Sequence, residues 1–184
     1  MSKTLRTTFA AALLSMTALG ALAANPNVGG APMFADKNII ENAVNSADHT
    51  TLVAAVKAAG LVDALMGDGP FTVFAPVNDA FAALPEGTVD TLLQPENKDM
   101  LVKVLTAHVI PANLSGAMLM SKAKASADGF FHIETLSGDA LSAQVRGSNL
   151  YIYDESGNAG RVTIADVNQS NGVIHVVDTV LVPK

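Results

Sequence analysis

The sequence predicts a single α+β domain, on three observations. Apolar residues recur at helical spacing through the earlier part of the chain, and β-branched or aromatic runs punctuated by turn residues fill the later part. The two patterns follow one another without alternating, which argues against βαβ units. A length of 184 residues, 49% hydrophobic and only 15% charged, suits one domain of ordinary size. Mean hydropathy of +0.34 excludes a disordered chain, and a net charge of -6 argues against a nucleic-acid partner. Zero cysteine removes disulfides, thiol catalysis and zinc-thiolate sites.

Residues 1–23 have the three-part layout of a cleavable export signal. Lys3 and Arg6 precede an uncharged stretch with Phe9, Leu13, Leu14, Met16 and Leu19, then Ala21-Leu22-Ala23. Small residues at Ala21 and Ala23 place the cut between Ala23 and Ala24. The apolar run is shorter than the roughly 20 residues of a spanning helix, so no stable membrane insertion is expected after cleavage. The mature chain keeps 9 basic and 17 acidic residues, a net charge of -8. Pro26, Gly29, Gly30 and Pro32 give residues 24–35 the composition of a flexible tether, with the domain occupying 36–184.

Within the domain, Ile39, Ile40, Ala43 and Val44 share one helical face, and Leu52, Val53, Val56 and Ala59 share another. Gly60 is placed as a C-cap. Gly67-Asp68-Gly69-Pro70 reads as a turn into a short strand over Phe71 to Ala75, which Pro76 ends. Both faces of that strand are apolar, so it should be central. Asn78 or Asp79 is suited to cap the next helix, which carries Ala80, Phe81 and Leu84. Pro95 to Leu105 is a further helix, with Met100, Leu101, Val104 and Leu105 turned inward. Strands are expected over Phe130 to Leu136, Ala140 to Val145, Asn149 to Tyr153, Val162 to Val167 and Val173 to Val182. On the last, Val173, His175 and Val177 share a face, so His175 should be enclosed.

Three segments in order carry a resemblance. They are Gly69-Pro70-Phe71-Thr72-Val73-Phe74-Ala75-Pro76-Val77-Asn78-Asp79-Ala80-Phe81, Leu105-Thr106-Ala107-His108-Val109-Ile110-Pro111, and Ile164-Ala165-Asp166-Val167 with Asn171-Gly172-Val173-Ile174-His175-Val176-Val177-Asp178 and Val180-Leu181-Val182-Pro183. Together they resemble the fasciclin domain, an exported module of about this size. The resemblance implies an α+β fasciclin-like fold, a helical N-terminal half packed on a twisted β-sandwich or wedge built largely by the C-terminal half. It also implies that Thr72, Phe74, Pro76, Asn78, Asp79, Phe81, His108, Asn171, Gly172, His175 and Asp178 form a structural signature. Two positions depart from the pattern: Ala107 stands where the family has Tyr, and Val77 where it often has Thr. Asp166-Val167-Asn168 falls at the place where adhesive animal members contact a receptor, and is the candidate partner-binding segment.

Other constellations reduce to structure. His108 and His175 sit in apolar runs without metal-ligand spacing and read as hydrogen-bonded packing residues. His132 and Glu134 share a strand face, but two ligands are too few for a metal unless His49 or an aspartate joins them. Asp154-Glu155-Ser156-Gly157-Asn158 has oxygen ligands without a calcium-loop pattern and reads as a hairpin turn. Met118 and Met120, with no histidine beside them, read as packing residues rather than copper ligands. Neither a nucleophile elbow nor a phosphate loop is present. The expectation is an exported, periplasmic or secreted, non-enzymatic module without metal or cofactor. It would bind a cell-surface or matrix protein or glycan; the alternative is a carrier of a small apolar, carotenoid-like ligand.

Overall fold

The computed structural model describes residues 25–184, so the export signal and its cleavage site at Ala23 and Ala24 lie outside the described residues. The first described residues differ from the expected tether. β1 (Asn27–Val28) and β2 (Ala31–Pro32) form a small antiparallel hairpin. Val28 and Met33 are buried in the core, and the Met33 amide donates to the Pro26 carbonyl at 2.8 Å. Two apolar side chains outweigh the loop-like composition around them.

A layer of short helices follows: α1 (Ile39–Ala43), α2 (Thr50–Ala59), α3 (Val62–Met66), α4 (Asn78–Ala82), α5 (Thr88–Leu92) and α6 (Lys98–Thr106). Asn38 and Glu41 close a capping box on α1. α2 ends on Gly60 at φ 74, the left-handed conformation glycine adopts without penalty. Asn78 does not cap its own helix. Its Oδ1 accepts from the Thr51 amide at 3.0 Å and its Nδ2 donates to the Ala47 carbonyl at 2.8 Å, so it caps the start of α2 instead. Met100 is 60% exposed, one position outside the inner stripe of Leu101, Val104 and Leu105.

The remaining strands are β3 (Phe71–Pro76), β4 (Val109–Ile110), β5 (Phe130–Glu134), β6 (Ala140–Arg146), β7 (Asn149–Tyr153), β8 (Ala159–Gln169) and β9 (Gly172–Val177), and α7 (Gly116–Ala125) lies between β4 and β5. The sheet runs β4-β3-β9-β8-β7-β6-β5, antiparallel except for the parallel β3–β9 pair. β3 and β9 are buried on both faces. Val73, Ala75, Ile174 and Val176 pack under the helices, while Phe74 and Val177 join Leu119 of α7 and the inner residues Ile133, Leu141 and Ile152 in a second core. The final strand ends earlier than expected, at Val177, and residues 178–184 run on without strand pairing.

Candidate functional site

The signature residues knit the fold. Asn171 sits in the turn between β8 and β9, where its Oδ1 accepts from the Ile39 amide at 3.1 Å and its Nδ2 donates to the Leu65 and Gly67 carbonyls at 2.8 Å each. One buried amide therefore fixes the start of α1 and the end of α3 against the sheet. Gly172 follows because a Cβ there would run into the Phe71 carbonyl across the parallel pair. Thr72, fully buried on β3, donates to the Ala112 carbonyl at 2.5 Å and accepts from the Leu114 amide at 2.9 Å. Asp178 accepts from the Arg161 amide at 2.8 Å. Pro76, Phe74 and Phe81 are buried, whereas Asp79 is exposed.

His108 and His175 use both ring nitrogens. His108 Nδ1 donates to the Val104 carbonyl at 2.8 Å, which leaves Nε2 to accept from the Leu181 amide at 2.9 Å. His175 Nδ1 accepts from the Asp166 amide at 3.2 Å, and Nε2 donates to the Leu114 carbonyl at 2.8 Å. Burial strips water from both rings and lowers their pKa, that of His108 to about 4, against the upward pull of their carbonyl partners. Each is a neutral cross-brace.

The candidate partner-binding segment divides. Val167 is 1% exposed and belongs to the first core, so it is not part of the accessible surface. Asp166 and Asn168 are exposed. Asp166 has φ 60 at an irregularity in the β8–β9 register, and its carboxylate accepts from the Gly116 amide at 2.7 Å at the start of α7. The bulge thus turns Asp166 toward a helix N-terminus, where a negative charge is favourable.

The outward face of β5–β8 gathers side chains that the sequence reading left unremarked. Both tyrosines of the chain, Tyr151 and Tyr153, are half-buried on β7, with Arg146 5.7 and 5.2 Å from their rings and Arg161 directly across from Tyr151. Phe130 meets Tyr153 edge to face at 5.6 Å. His132 is exposed on the same face, bonded to Ser142 and Asp128. His49 lies far from it in chain and layer, and among the described residues no three His, Asp or Glu side chains come together to hold an ion. Asp154 is buried and accepts from the Ser156, Asn158 and Val182 amides, tying the β7–β8 turn to the C-terminal segment. Met120 packs on the second core and Met118 is exposed.

Between the helical layer and the β3–β9 face lies a cleft of about 50 Å³. Its walls are apolar apart from Ser46, His49, Lys57 and His108. His49 is buried, and its Nδ1 is bonded to Ser46 Oγ at 2.9 Å. Its Nε2 has no hydrogen-bond partner, although the nearby Ala75 carbonyl partly offsets the lowering of its pKa by burial. The other buried polar atom without a partner among the described residues is the Tyr153 hydroxyl. His49 was invisible as a cleft residue because its neighbours in sequence are exposed and its walls come from distant helices and strands.

The comparisons with known proteins agree with this architecture. The family model for the fasciclin domain matches residues 47–183. Protein sll1483 of Synechocystis sp. is 51% identical over 145 residues, covering 79% of this chain and 73% of that protein. Immunogenic protein MPB70 of Mycobacterium bovis is 33% identical over 146 residues, covering 77% and 66%. The transforming growth factor-beta-induced protein ig-h3 of Sus scrofa is 36% identical over 132 residues, 72% of this chain but only 17% of that protein. Among solved structures, a FAS1 domain pair from the insect cell adhesion molecule fasciclin I aligns with a TM-score of 0.58 at 22% identity, covering 71% of this chain and 43% of the other. Family model and relatives converge: the chain belongs to the fasciclin domain family.

Proposed function

We propose that the chain is an exported, non-enzymatic module that works in the periplasm or outside the cell, binding a cell-surface or matrix protein or glycan. The observation that supports it most is the outward face of β5–β8, where Tyr151, Tyr153, Arg146 and Arg161 meet. Tyrosine and arginine are the residue types that carry interfaces, because they offer broad contact area and directed hydrogen bonds. Exposed Asp166 and Asn168 are a second contact candidate on β8. Among the described residues no helix is long and apolar enough to cross a membrane. Export predicts that the mature protein begins at Ala24, which N-terminal sequencing reads directly. A pull-down from envelope and medium should recover a partner with the wild type and lose it with Arg146→Ser combined with Tyr151→Ser. Unchanged attachment and aggregation in a deletion strain, with no partner recovered, would overturn the reading.

The cleft favours a second reading, a carrier of a small apolar ligand. About 50 Å³ is too little to enclose a carotenoid, so the ligand would be small or would project from the mouth. Organic extraction of the native protein with mass spectrometry tests it, and an empty extract refutes it.

A further inference from the structure

We propose that the outward face of β6, β7 and β8 binds a glycan bearing uronic-acid carboxylates, one carboxylate seated on the Arg146 guanidinium and a sugar ring lying against Tyr151. This rests on the binding-module reading above and names the chemical class of its partner.

Both tyrosines of the chain and both arginines of the described residues stand on this one face. Strand pairing sets Gln144 opposite Tyr151, Tyr151 opposite Arg161, and Arg146 opposite Asn149. No leucine, isoleucine or valine joins them, because those of the three strands pack into the two cores. The apolar centre of a protein interface therefore has no counterpart here. A flat patch of tyrosine rings, amides and guanidinium suits a sugar instead: ring C–H groups pack on an aromatic face, and hydroxyls pair with the Gln144 and Asn149 amides.

Arg146 is held as an anion receptor. Its Nε donates to Gln144 Oε1 at 2.8 Å, and its guanidinium carbon lies 5.2 and 5.7 Å from the Tyr153 and Tyr151 rings. The plane is thereby fixed, and the two terminal NH2 groups form a fork that matches both oxygens of one carboxylate. Arg146 has no carboxylate partner among the described residues. The acids around it are committed elsewhere: Asp178 to Arg161, Asp128 to His132, and Glu155 to the Ala140 amide. Glu134 pairs with Ala140 at the other end of β6, about 20 Å along the strand.

Charge complementarity selects the kind of anion. The excess acid of the chain is gathered in the helical layer, where residues 36–106 hold ten acidic side chains against four basic ones. Both cores separate that layer from the outward sheet face, and screening over about 8 Å keeps its field from reaching Arg146. The face itself offers one unmatched cation, with Asp128, Asp178 and Glu134 around it. Single carboxylates spaced along a glycan fit that pattern, whereas a densely sulfated or phosphorylated chain would meet the surrounding acids.

The test titrates a galacturonic acid hexamer into the full mature protein while NMR follows the Arg146 Nε–H, the Gln144 and Asn149 side-chain amides and the Tyr151 ring. Saturable shifts at all four are expected. Arg146→Gln should weaken binding about tenfold, the effect of losing one charge-assisted pair. Arg146→Lys, which keeps the charge without the fork, should recover only part of that loss. Arg146 is exposed, so both variants should melt like the wild type by circular dichroism. The carboxyl-reduced, neutral hexamer should bind about tenfold more weakly than the acid. No saturable shift with the acid, or equal affinity for the neutral hexamer or in Arg146→Gln, would overturn the proposal. Tighter binding of heparin would overturn it in favour of bulk charge attraction, and tighter binding of a polyglutamate peptide in favour of an acidic protein segment. Recovery of a protein through Arg146 and Tyr151 in the pull-down, with no hexamer bound, would remove the uronate and leave the binding-module reading standing.

Discussion

The seam between β3 and β9 and the helical layer that covers it bury polar groups in opposite ways. Along the seam every imidazole and amide is spent on the backbone: Asn171 makes three bonds across two helices, and His175 bridges β8 to the segment before α7. In the helical layer His49 is also buried, but it is bonded to the Ser46 side chain and its Nε2 makes no well-formed hydrogen bond. The difference shows that burial of a histidine says little about its role until both nitrogens have been followed. A ring with two backbone partners is a brace, whereas His49 is held through the Ser46 side chain with the Ala75 carbonyl close to the ring.

The sharpest way to test that contrast is to remove the braces. Asn171→Ala strands the Ile39 amide and the Leu65 and Gly67 carbonyls, and should cost about 3–5 kcal/mol in chemical denaturation. His108→Leu and His175→Leu each leave one amide and one carbonyl unpaired, and about 2–4 kcal/mol is expected for either. A loss under about 1 kcal/mol at all three would break the comparison.

Acid probes the same braces without mutation. In the folded protein burial lowers the pKa of His108 from 6.5 to about 4, so the unfolded chain takes up this proton first as pH falls. Stability is therefore full above about pH 6.5 and declines towards pH 4, by about 3 kcal/mol from His108 alone. His175 and His49, lowered in the same direction by burial, add to the decline. Urea midpoints across this range should fall with pH, and His108→Leu should flatten the profile.

Smaller effects are expected nearer the surface. Asp166→Ala removes the carboxylate from the Gly116 amide and leaves alanine at φ 60, for about 1–2 kcal/mol by thermal melting. His49→Leu leaves the buried Ser46 hydroxyl without its partner and removes an imidazole nitrogen that makes no bond, so about 1–2 kcal/mol is expected. A destabilisation there as large as at His108 would show that His49 is a brace after all.

How much of this was legible depends on whether the deciding contact is local. β7 was readable because Leu150 and Ile152 alternate with Tyr151 and Tyr153 at the period of a half-buried strand. α7 was not, since only Gly116, Leu119 and Ala123 are buried along it and Gly116 looks like a helix breaker. A side chain there would sit tightly against Ala165 and Asp166, which the sequence places about 50 residues away. The α+β order and the enclosure of His175 come from periodicity. The cap that Asn78 gives to α2, the packed hairpin at Val28 and the setting of His49 depend on partners remote in the chain.

The parallel pairing of β3 with β9 has a consequence for when the protein can fold. Phe71 pairs with Gly172 and Pro76 with Val177, so the inner edge of β3 stays open until β9, about 100 residues further along, is present. Loops this long are slow to close, and an incomplete chain has no native partner for β3. A chain still on the ribosome therefore holds β3 without its parallel partner until β9 emerges, after which the two cores can close together.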